Sequence, residues 1–299
     1  MARVRMAGLN IVFRNMMVLL WRRVAAGTEI AQGRGRGSHA LVKAIYHLAR
    51  WRVLSSVPGS TAMGKPFMRI AMWSGPRNLS TAMMYSFGAR QDFTAMDEPF
   101  YAAYLKATGL EHPMRDAVLA AQEQDPARVP LGFVQDGARH LYMKHMAQHM
   151  IDGFPLDWAE DCVNIHLIRH PARVIASYAA KREAPRLADI GFDRQLMLFE
   201  RLGGLVIDSG DIRADPEGML RKLCAAVGLP FDPAMLHWPA GPRPEDGVWA
   251  PHWYEAIHQS TGFAGPEGDL PVLNGANAEV LAAALPYYEQ LFAERLKNF

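Results

Sequence analysis

Residues 69–89 read RIAMWSGPRNLSTAMMYSFGA, and this segment is the most informative about the fold. Arg69–Trp73 is a short apolar run, the turn Ser74–Asn78 follows it, and Leu79–Ala89 has a helical composition. The order predicts a strand–loop–helix unit, with which many phosphate-binding α/β domains begin. In such a unit the backbone N–H groups of the loop and the helix dipole both favour an anion.

Further strands and helices alternate along the rest of the chain. Strands are predicted at Phe93–Met96, His140–Lys144, Val163–Ile168 and Leu205–Asp208, and helices at Ala172–Arg182, Pro216–Val227 and Ala278–Leu296. This alternation predicts an α/β fold, in which helices cover both faces of a mostly parallel sheet. Trp238–Pro251 is rich in Pro and Gly and is expected to be a long ordered loop that contacts substrate.

Composition indicates a globular protein. Hydrophobic residues make up 50% of the chain and charged residues 21%, which excludes a disordered protein. Cys162 and Cys224 are too few for a disulfide framework, so we expect reduced core residues in a cytoplasmic protein. No run of 18 apolar residues occurs, which predicts no transmembrane helix.

Charge divides the chain near Lys65–Met68. Residues 1–67 hold 11 of the 32 basic residues and one acid, Glu29, whereas residues 68–299 hold the other 21 bases and 29 acids. We therefore expect a basic extension, disordered or partly helical, before a domain at 68–299. The extension resembles an organellar transit peptide or a membrane-surface helix, but translation beginning near Met63 or Met68 is the preferred interpretation.

The loop after the first strand offers a set of anion-binding groups. Arg77 supplies a planar cationic fork, and Ser80 and Thr81 supply hydroxyl donors at the helix start. The stretch lacks the Lys of a Walker A loop, and an ordinary strand–helix connection with a surface Arg is the plainer alternative. The candidate binding residues here are Ser74, Gly75, Pro76, Arg77, Asn78, Ser80 and Thr81.

A second pair of donors follows the strand Val163–Ile168. Arg169 lies at the carboxyl end of this strand, where ligands collect in open parallel sheets, and Ser177 lies eight residues on in the next helix. The two residues could hold a second phosphate. Alternatively, Arg169 is a surface charge and Ser177 a small helix residue.

Together, these two stretches resemble the sulfotransferase family. WSGPRNLST at Trp73–Thr81 resembles the family's 5′-phosphosulfate loop, and LIRHPARVIASY at Leu167–Tyr178 resembles its 3′-phosphate motif. Asp208–Pro233 resembles a later strand–helix segment of the family. The resemblance implies a three-layer fold like that of P-loop NTPases and the donor 3′-phosphoadenosine-5′-phosphosulfate (PAPS). It also implies that the loop binds the 5′-phosphosulfate and that Arg169 and Ser177 bind the 3′-phosphate.

The chain departs from the family's pattern at several positions. Many members have Lys where Arg77 stands and Gly where Leu79 stands. Cytosolic members carry an adenine-stacking Trp soon after the loop, where this chain has Ala82 and Met83. The family's basic, Gly-rich C-terminal loop has no clear counterpart, and Ser260–Phe263 is the candidate for its place.

Three residues are candidates for the chemistry. Glu98 follows the second strand and resembles the acidic base of bacterial and Golgi-type sulfotransferases; a salt bridge to Arg77 is the plainer alternative. His145 is the rival base, because cytosolic members place a catalytic His after a strand; a packed core histidine is the plainer alternative. Lys144 could stabilise charge on the bridging oxygen. His149 lies at i+4 from His145, but no carboxylate motif accompanies the pair, so no metal site is predicted.

Three other functions remain open from the sequence. A nucleotide kinase would need a loop Lys and a metal-binding acid, for which Asp97 is available. A pyridoxal-phosphate aminotransferase would need a Schiff-base Lys, and only Lys144 of the seven has a strand-end context. A sulfotransferase-like protein that binds nucleotide without turnover is the third. We expect a small hydroxyl acceptor, helped by the aromatic stretch Trp249–His258, and no metal or nucleic acid; acceptor identity and oligomeric state are not predicted.

Overall fold

The structure is a computed structural model that describes residues 67–133, 140–180 and 185–297. Five strands within these residues form one sheet in the order β2–β3–β1–β4–β5, and every neighbouring pair is parallel. The α/β fold with a P-loop-like sheet is therefore confirmed. The strands are β1 Arg69–Ser74, β2 Phe93–Asp97, β3 His140–Met146, β4 Val163–Ile168 and β5 Leu205–Asp208.

Helices connect the strands and cover the sheet. The α-helices are α1 Ser80–Gly88, α2 Tyr101–Thr108, α3 Arg115–Ala121, α4 Pro171–Ala179, α5 Leu187–Ile190, α6 Phe192–Leu202, α7 Ser209–Ala214, α8 Pro216–Val227, α9 Ala250–Trp253, α10 Glu255–His258 and α11 Ala276–Ala293. Within the described ranges, four 3-10 turns lie at Val129–Phe133, Ala147–His149, Asp157–Asp161 and Pro233–Leu236.

Local sequence explains where the best-predicted helix begins and ends. The Asp215 carboxylate accepts a hydrogen bond of 2.9 Å from the Gly218 N–H, Pro216 is the first residue of α8, and Gly228 ends it at φ 75°. By contrast, α11 ends three residues before the predicted Leu296. The chain there turns to form a parallel bridge between Arg295 and Val206 of β5.

The core lies on both faces of the sheet, because alternate residues of each strand point to opposite sides. In β1, Ile70 and Met72 join the cluster that contains α1 and α8, whereas Ala71 and Trp73 join a second cluster beneath α6. All four side chains are fully buried. Each large apolar side chain buried this way contributes about 1.5–3 kcal/mol.

Two sequence predictions concern regions outside this sheet. Residues 1–66 lie outside the described residues, as do Lys181 and Arg182 of the predicted helix after β4, so the extension and its boundary stay predictions. Cys162 and Cys224 are buried and free, as predicted. In the described part of the chain, every helix is too short or too polar to span a bilayer.

Candidate active site

The predicted binding residues converge at the carboxyl edge of the sheet. A cavity of about 380 Å³ opens there, where parallel strands commonly place ligands. The loop after β1 forms one wall, Arg169 and Ser177 from the β4–α4 unit lie beside it, and Glu98 and Lys144 line the floor.

The β1–α1 loop presents most of its predicted residues to the cavity. Pro76, Arg77, Asn78, Ser80 and Thr81 line it, but Ser74 and Gly75 do not. Ser74 is the last residue of β1, and its hydroxyl lies 3.9 Å from the Met146 sulfur. A Cβ at Gly75 would come within 2.5 Å of the Ile190 carbonyl oxygen, so only glycine fits there. These two residues shape the loop, and their contact with ligand stays a prediction.

The loop holds an unfavourable backbone conformation. Arg77 and Leu79 have φ values of 61° and 69°, in the left-handed region that favours glycine and costs other residues about 1–3 kcal/mol each. The Leu79 conformation explains why a glycine suits this position. The Asn78 amide donates to the Leu167 carbonyl at 3.1 Å and anchors the loop to β4.

The start of α1 is an anion-binding arrangement. Leu79 is its N-cap and forms no side-chain cap, so the N–H groups of the first turn remain available for a ligand. Ser80 and Thr81 lie in this turn and line the cavity.

The two motifs found in the sequence are bonded to each other. The Arg77 Nε donates to the Ser177 hydroxyl at 2.9 Å, and an Arg169 Nη donates to the Arg77 carbonyl at 2.7 Å. Burial and the charge of Arg169 lower the pKa of Arg77. Two guanidiniums held this close would be stabilised by an anion between them.

A buried ionic cluster forms the floor of the cavity. Lys144 Nζ donates to Asp97 at 2.9 Å, to Glu98 at 2.5 Å and to the Tyr254 hydroxyl at 2.7 Å. Asp97 also accepts from the Tyr254 hydroxyl at 2.7 Å and from the Gly247 N–H at 3.1 Å. Glu98 therefore bonds to Lys144, whereas the plainer alternative had placed it with Arg77.

The cluster holds one cation against two carboxylates. Asp97 has three hydrogen-bond donors, whereas among the described residues Lys144 alone donates to the Glu98 carboxylate. Burial raises the pKa of Glu98 to about 7, although Lys144 acts in the opposite direction. Burial lowers the pKa of Lys144, but Asp97 and Glu98 more than offset it, and the net direction is well above the usual value. Binding one proton at Glu98 makes the cluster neutral.

The structure places His145 away from the cavity. It follows Lys144 in β3 and so points to the opposite face, where its ring stacks on Trp73 at a centroid distance of 4.6 Å and packs near Phe100 and Trp158. Neither ring nitrogen has a hydrogen-bond partner among the described residues, and burial lowers the pKa to about 3. A base in this position cannot reach the cavity, so the prediction of His145 as a catalytic residue is corrected.

His149 also has a packing role, although it lines the cavity. Its ring stacks on Tyr101 and Tyr104 at centroid distances of 4.6 and 4.7 Å. Burial, then the neighbouring His112, lowers its pKa well below the usual value, so the ring stays neutral. It contributes to an uncharged aromatic wall.

The opposite wall comes from the predicted aromatic stretch. Trp249, Trp253, Tyr254, Ala256 and Ile257 line the cavity, and Ser260 and Gly262 follow them. Trp249 Nε1 donates to the Tyr254 hydroxyl at 3.2 Å, which ties this wall to the ionic cluster.

Sequence reasoning did not identify several residues of the site. Asp97 was considered only as a metal-binding acid, and Tyr254 only as one member of an aromatic stretch. Arg173, Arg213 and Glu267 were not considered, yet they form an ion-pair network with Arg169. The basic residue Arg173 within the second motif was the one signal available; Tyr254, Arg213 and Glu267 had none.

Comparison with known proteins places these features in a family. A family model described as a sulfotransferase domain matches residues 68–295. Branched-chain-amino-acid aminotransferase-like proteins 1 and 2 of Arabidopsis thaliana are 37% and 35% identical over 229 residues, which cover 74% of this chain and 41% of each relative. The chain thus spans about two fifths of the length of these curated relatives.

Solved structures with a similar fold include two sulfotransferase domains. The domain from the Synechococcus PCC 7002 olefin synthase aligns with a TM-score of 0.47 and 19% identity, covering 80% of this chain and 98% of that one. The domain from the curacin biosynthetic pathway aligns with a TM-score of 0.46 and 17% identity, covering 75% and 99%.

Proposed function

Because the chain belongs to the sulfotransferase domain family, we propose that it transfers a sulfuryl group from PAPS to a hydroxyl group of a small acceptor. The proposal rests mainly on the hydrogen bonds that join the β1–α1 loop to the β4–α4 unit. Arg77 bonds to Ser177 and Arg169 bonds to Arg77 at the cavity whose floor holds Glu98 and Lys144. Anion-binding groups and a candidate base thus meet in one place.

The donor would lie along the arginine-lined wall. Arg77 and the first-turn N–H groups of α1 suit the 5′-phosphosulfate, and Arg169 suits the 3′-phosphate. Transfer needs little covalent work from side chains, so alignment and charge stabilisation supply most of the catalysis.

Glu98 is the proposed general base. The acceptor oxygen forms a bond to sulfur as the bond between sulfur and the bridging phosphate oxygen breaks, and the bisphosphate leaves with that electron pair. The acceptor proton passes to Glu98. A pKa raised to about 7 suits this role, because the protonated product state makes the buried cluster neutral.

Replacing Arg77 with alanine should reduce turnover by about 10²–10³-fold, because the loop then loses a charged donor aimed at the transferring group. The measurement is transfer of label from ³⁵S-PAPS to a panel of small alcohols and phenols. Arg128→Ala is the matched control, since Arg128 is exposed and pairs only with Glu123 in the described structure. Equal turnover in wild type and Arg77→Ala would remove the loop from the mechanism.

Turnover should rise with pH toward a plateau above about pH 7, because Glu98 must lose its proton to act as a base.

The free energy of unfolding should instead fall as the pH rises. The pKa of Glu98 is about 7 in the folded state, above its usual value of 4.5. The protonated carboxyl therefore contributes its full stabilisation below pH 4.5, and this contribution is lost as the pH rises through about 7. A pH profile of kcat/KM and urea melts at pH 5 and 8 measure both. A rate that falls across this range would contradict the assignment.

The geometry does not favour the other functions that the sequence left open. The metal-binding acid of a kinase would have to be Asp97, but Asp97 is fully bonded to Lys144, Tyr254 and Gly247. The Schiff-base Lys of an aminotransferase would have to be Lys144, which Asp97 and Glu98 keep protonated and therefore not nucleophilic. Absence of label transfer from bound PAPS to any acceptor would instead favour a non-catalytic nucleotide-binding protein.

A further inference from the structure

Three arginines from different elements surround one carboxylate beside the cavity. We name Arg169, Arg173 and Arg213 the arginine cluster; they lie after β4, in α4 and in α7. Arg169 and Arg213 contact Glu267 Oε1, the latter at 2.7 Å, and Arg173 contacts Oε2 at 3.0 Å. The Glu267 side chain is only 7% exposed, and the three arginines are between 17% and 22% exposed.

The same arginines hold the backbone around Glu267. Arg213 Nε donates to the Gly265 carbonyl at 2.8 Å, and Arg173 donates to the Gly268 carbonyl. In the described residues, these bonds and the Glu267 ion pairs are the polar contacts of Gly265, Glu267 and Gly268. The segment 264–274 is otherwise largely exposed, with Val272 at 86%.

The charges of this cluster do not balance. Three guanidiniums carry a charge of +3 and Glu267 carries −1, so two positive charges remain without a carboxylate partner among the described residues. Burial raises the pKa of Glu267, but the arginines more than offset it and hold the carboxylate ionised. A phosphate monoester, with nearly two negative charges and three terminal oxygens, matches three arginines better than a carboxylate does.

Resting on the proposed function, in which Arg169 holds the 3′-phosphate, we propose that Glu267 occupies this phosphate site in the free protein and competes with the nucleotide, and that Arg173 and Arg213 extend the site. Arg173 and Arg213 would then bind the phosphate in place of Glu267, and segment 260–275, which contains no Lys or Arg, offers the phosphate no cation of its own. Arg169 connects the site to the donor loop through its bond to the Arg77 carbonyl. Entry of the phosphate displaces Glu267 and releases segment 264–274.

The first test compares two nucleotides that differ in the 3′-phosphate. Isothermal titration of the full chain measures Kd for 3′-phosphoadenosine-5′-phosphate (PAP) and for 5′-AMP. Glu267→Gln should bind PAP about tenfold more tightly, because the competing carboxylate no longer reduces the competent fraction, and should bind 5′-AMP unchanged. Asp269→Asn, an exposed change in the same segment, should leave both constants at the wild-type value. PAP binding by Glu267→Gln that is unchanged or weaker would overturn the competition.

The second test removes an arginine. Arg213→Gln should weaken PAP binding about tenfold and leave 5′-AMP binding unchanged, whereas a purely structural role for Arg213 would alter both equally or neither. Either of those results would overturn the phosphate assignment.

The two proposals fail in different ways. If neither wild type nor Glu267→Gln binds PAP, the proposed donor is wrong, and the proposed role of Glu267 is wrong with it. If wild type binds PAP and Glu267→Gln binds it no better, the competing role of Glu267 falls while the proposed function stands.

Discussion

Replacing Glu98 with glutamine should lower kcat by about 10²–10⁴-fold, the range that a positioned general base contributes. The fold should remain intact, because glutamine resembles the protonated carboxyl and leaves Lys144 paired with Asp97. PAP binding should persist, since the donor contacts proposed here come from the loop and the arginines. Label transfer from ³⁵S-PAPS and PAP titration measure the two effects separately.

Glu111→Gln is the matched control, because Glu111 is exposed and its ion pair with Arg115 is long, at 3.9 Å. It should keep wild-type turnover. A Glu98→Gln variant with full activity would remove the base from this position, and none of the other candidates from the sequence could replace it: His145 faces away, and Lys144 is held protonated.

Replacing Lys144 with methionine should reduce the free energy of unfolding by about 3–5 kcal/mol, because it leaves two buried carboxylates without their cation. Lys144 is 1% exposed, so water cannot compensate for the loss. The destabilisation should be larger at pH 8 than at pH 5, where Glu98 can bind a proton instead. Urea denaturation at the two pH values measures it.

Lys106→Met is the control, since Lys106 is exposed in the last turn of α2, and its effect should stay within about 0.5 kcal/mol. An equal effect of the two substitutions would mean that the ionic cluster does not stabilise the fold.

The strands of the sheet could be predicted from the sequence because they are short apolar runs bounded by polar turns. Val163–Ile168 and Leu205–Asp208 match the structure residue for residue, and the other strands extend one or two residues beyond their predicted ends. Those extensions follow from geometry. Ser74, Asp97 and Met146 continue the ladder with a neighbouring strand, although Ser74 had been assigned to a turn.

The sequence did not show to which face of the sheet each strand residue points, and the prediction for His145 was wrong for this reason. A strand buried on both sides shows no alternation of polar and apolar residues, so nothing in HLYMKHM distinguishes the cavity face from the core face. The pairing with β2 decides it: Lys144 lies opposite Asp97, and the next residue must point away.

Contacts between residues that lie far apart in the chain also could not be predicted from the sequence. Tyr254 bonds to Asp97 across 157 positions, and Glu267 meets Arg169 across 98. Neither Tyr nor Glu is an uncommon surface residue, so composition gave no reason to select these two. The loop residues and Arg169 could be selected because the resemblance to a family joined them.

The thermal shift of the full chain with PAP, compared with that with ATP and magnesium, tests the assignment of the donor nucleotide. A nucleotide present at a hundred times its Kd should stabilise the fold by about 2.7 kcal/mol. Tm should rise clearly with PAP and much less with magnesium–ATP. A rise with magnesium–ATP alone would contradict this assignment, because the loop would then serve phosphoryl transfer and the assignment of Arg169 and Ser177 would be wrong.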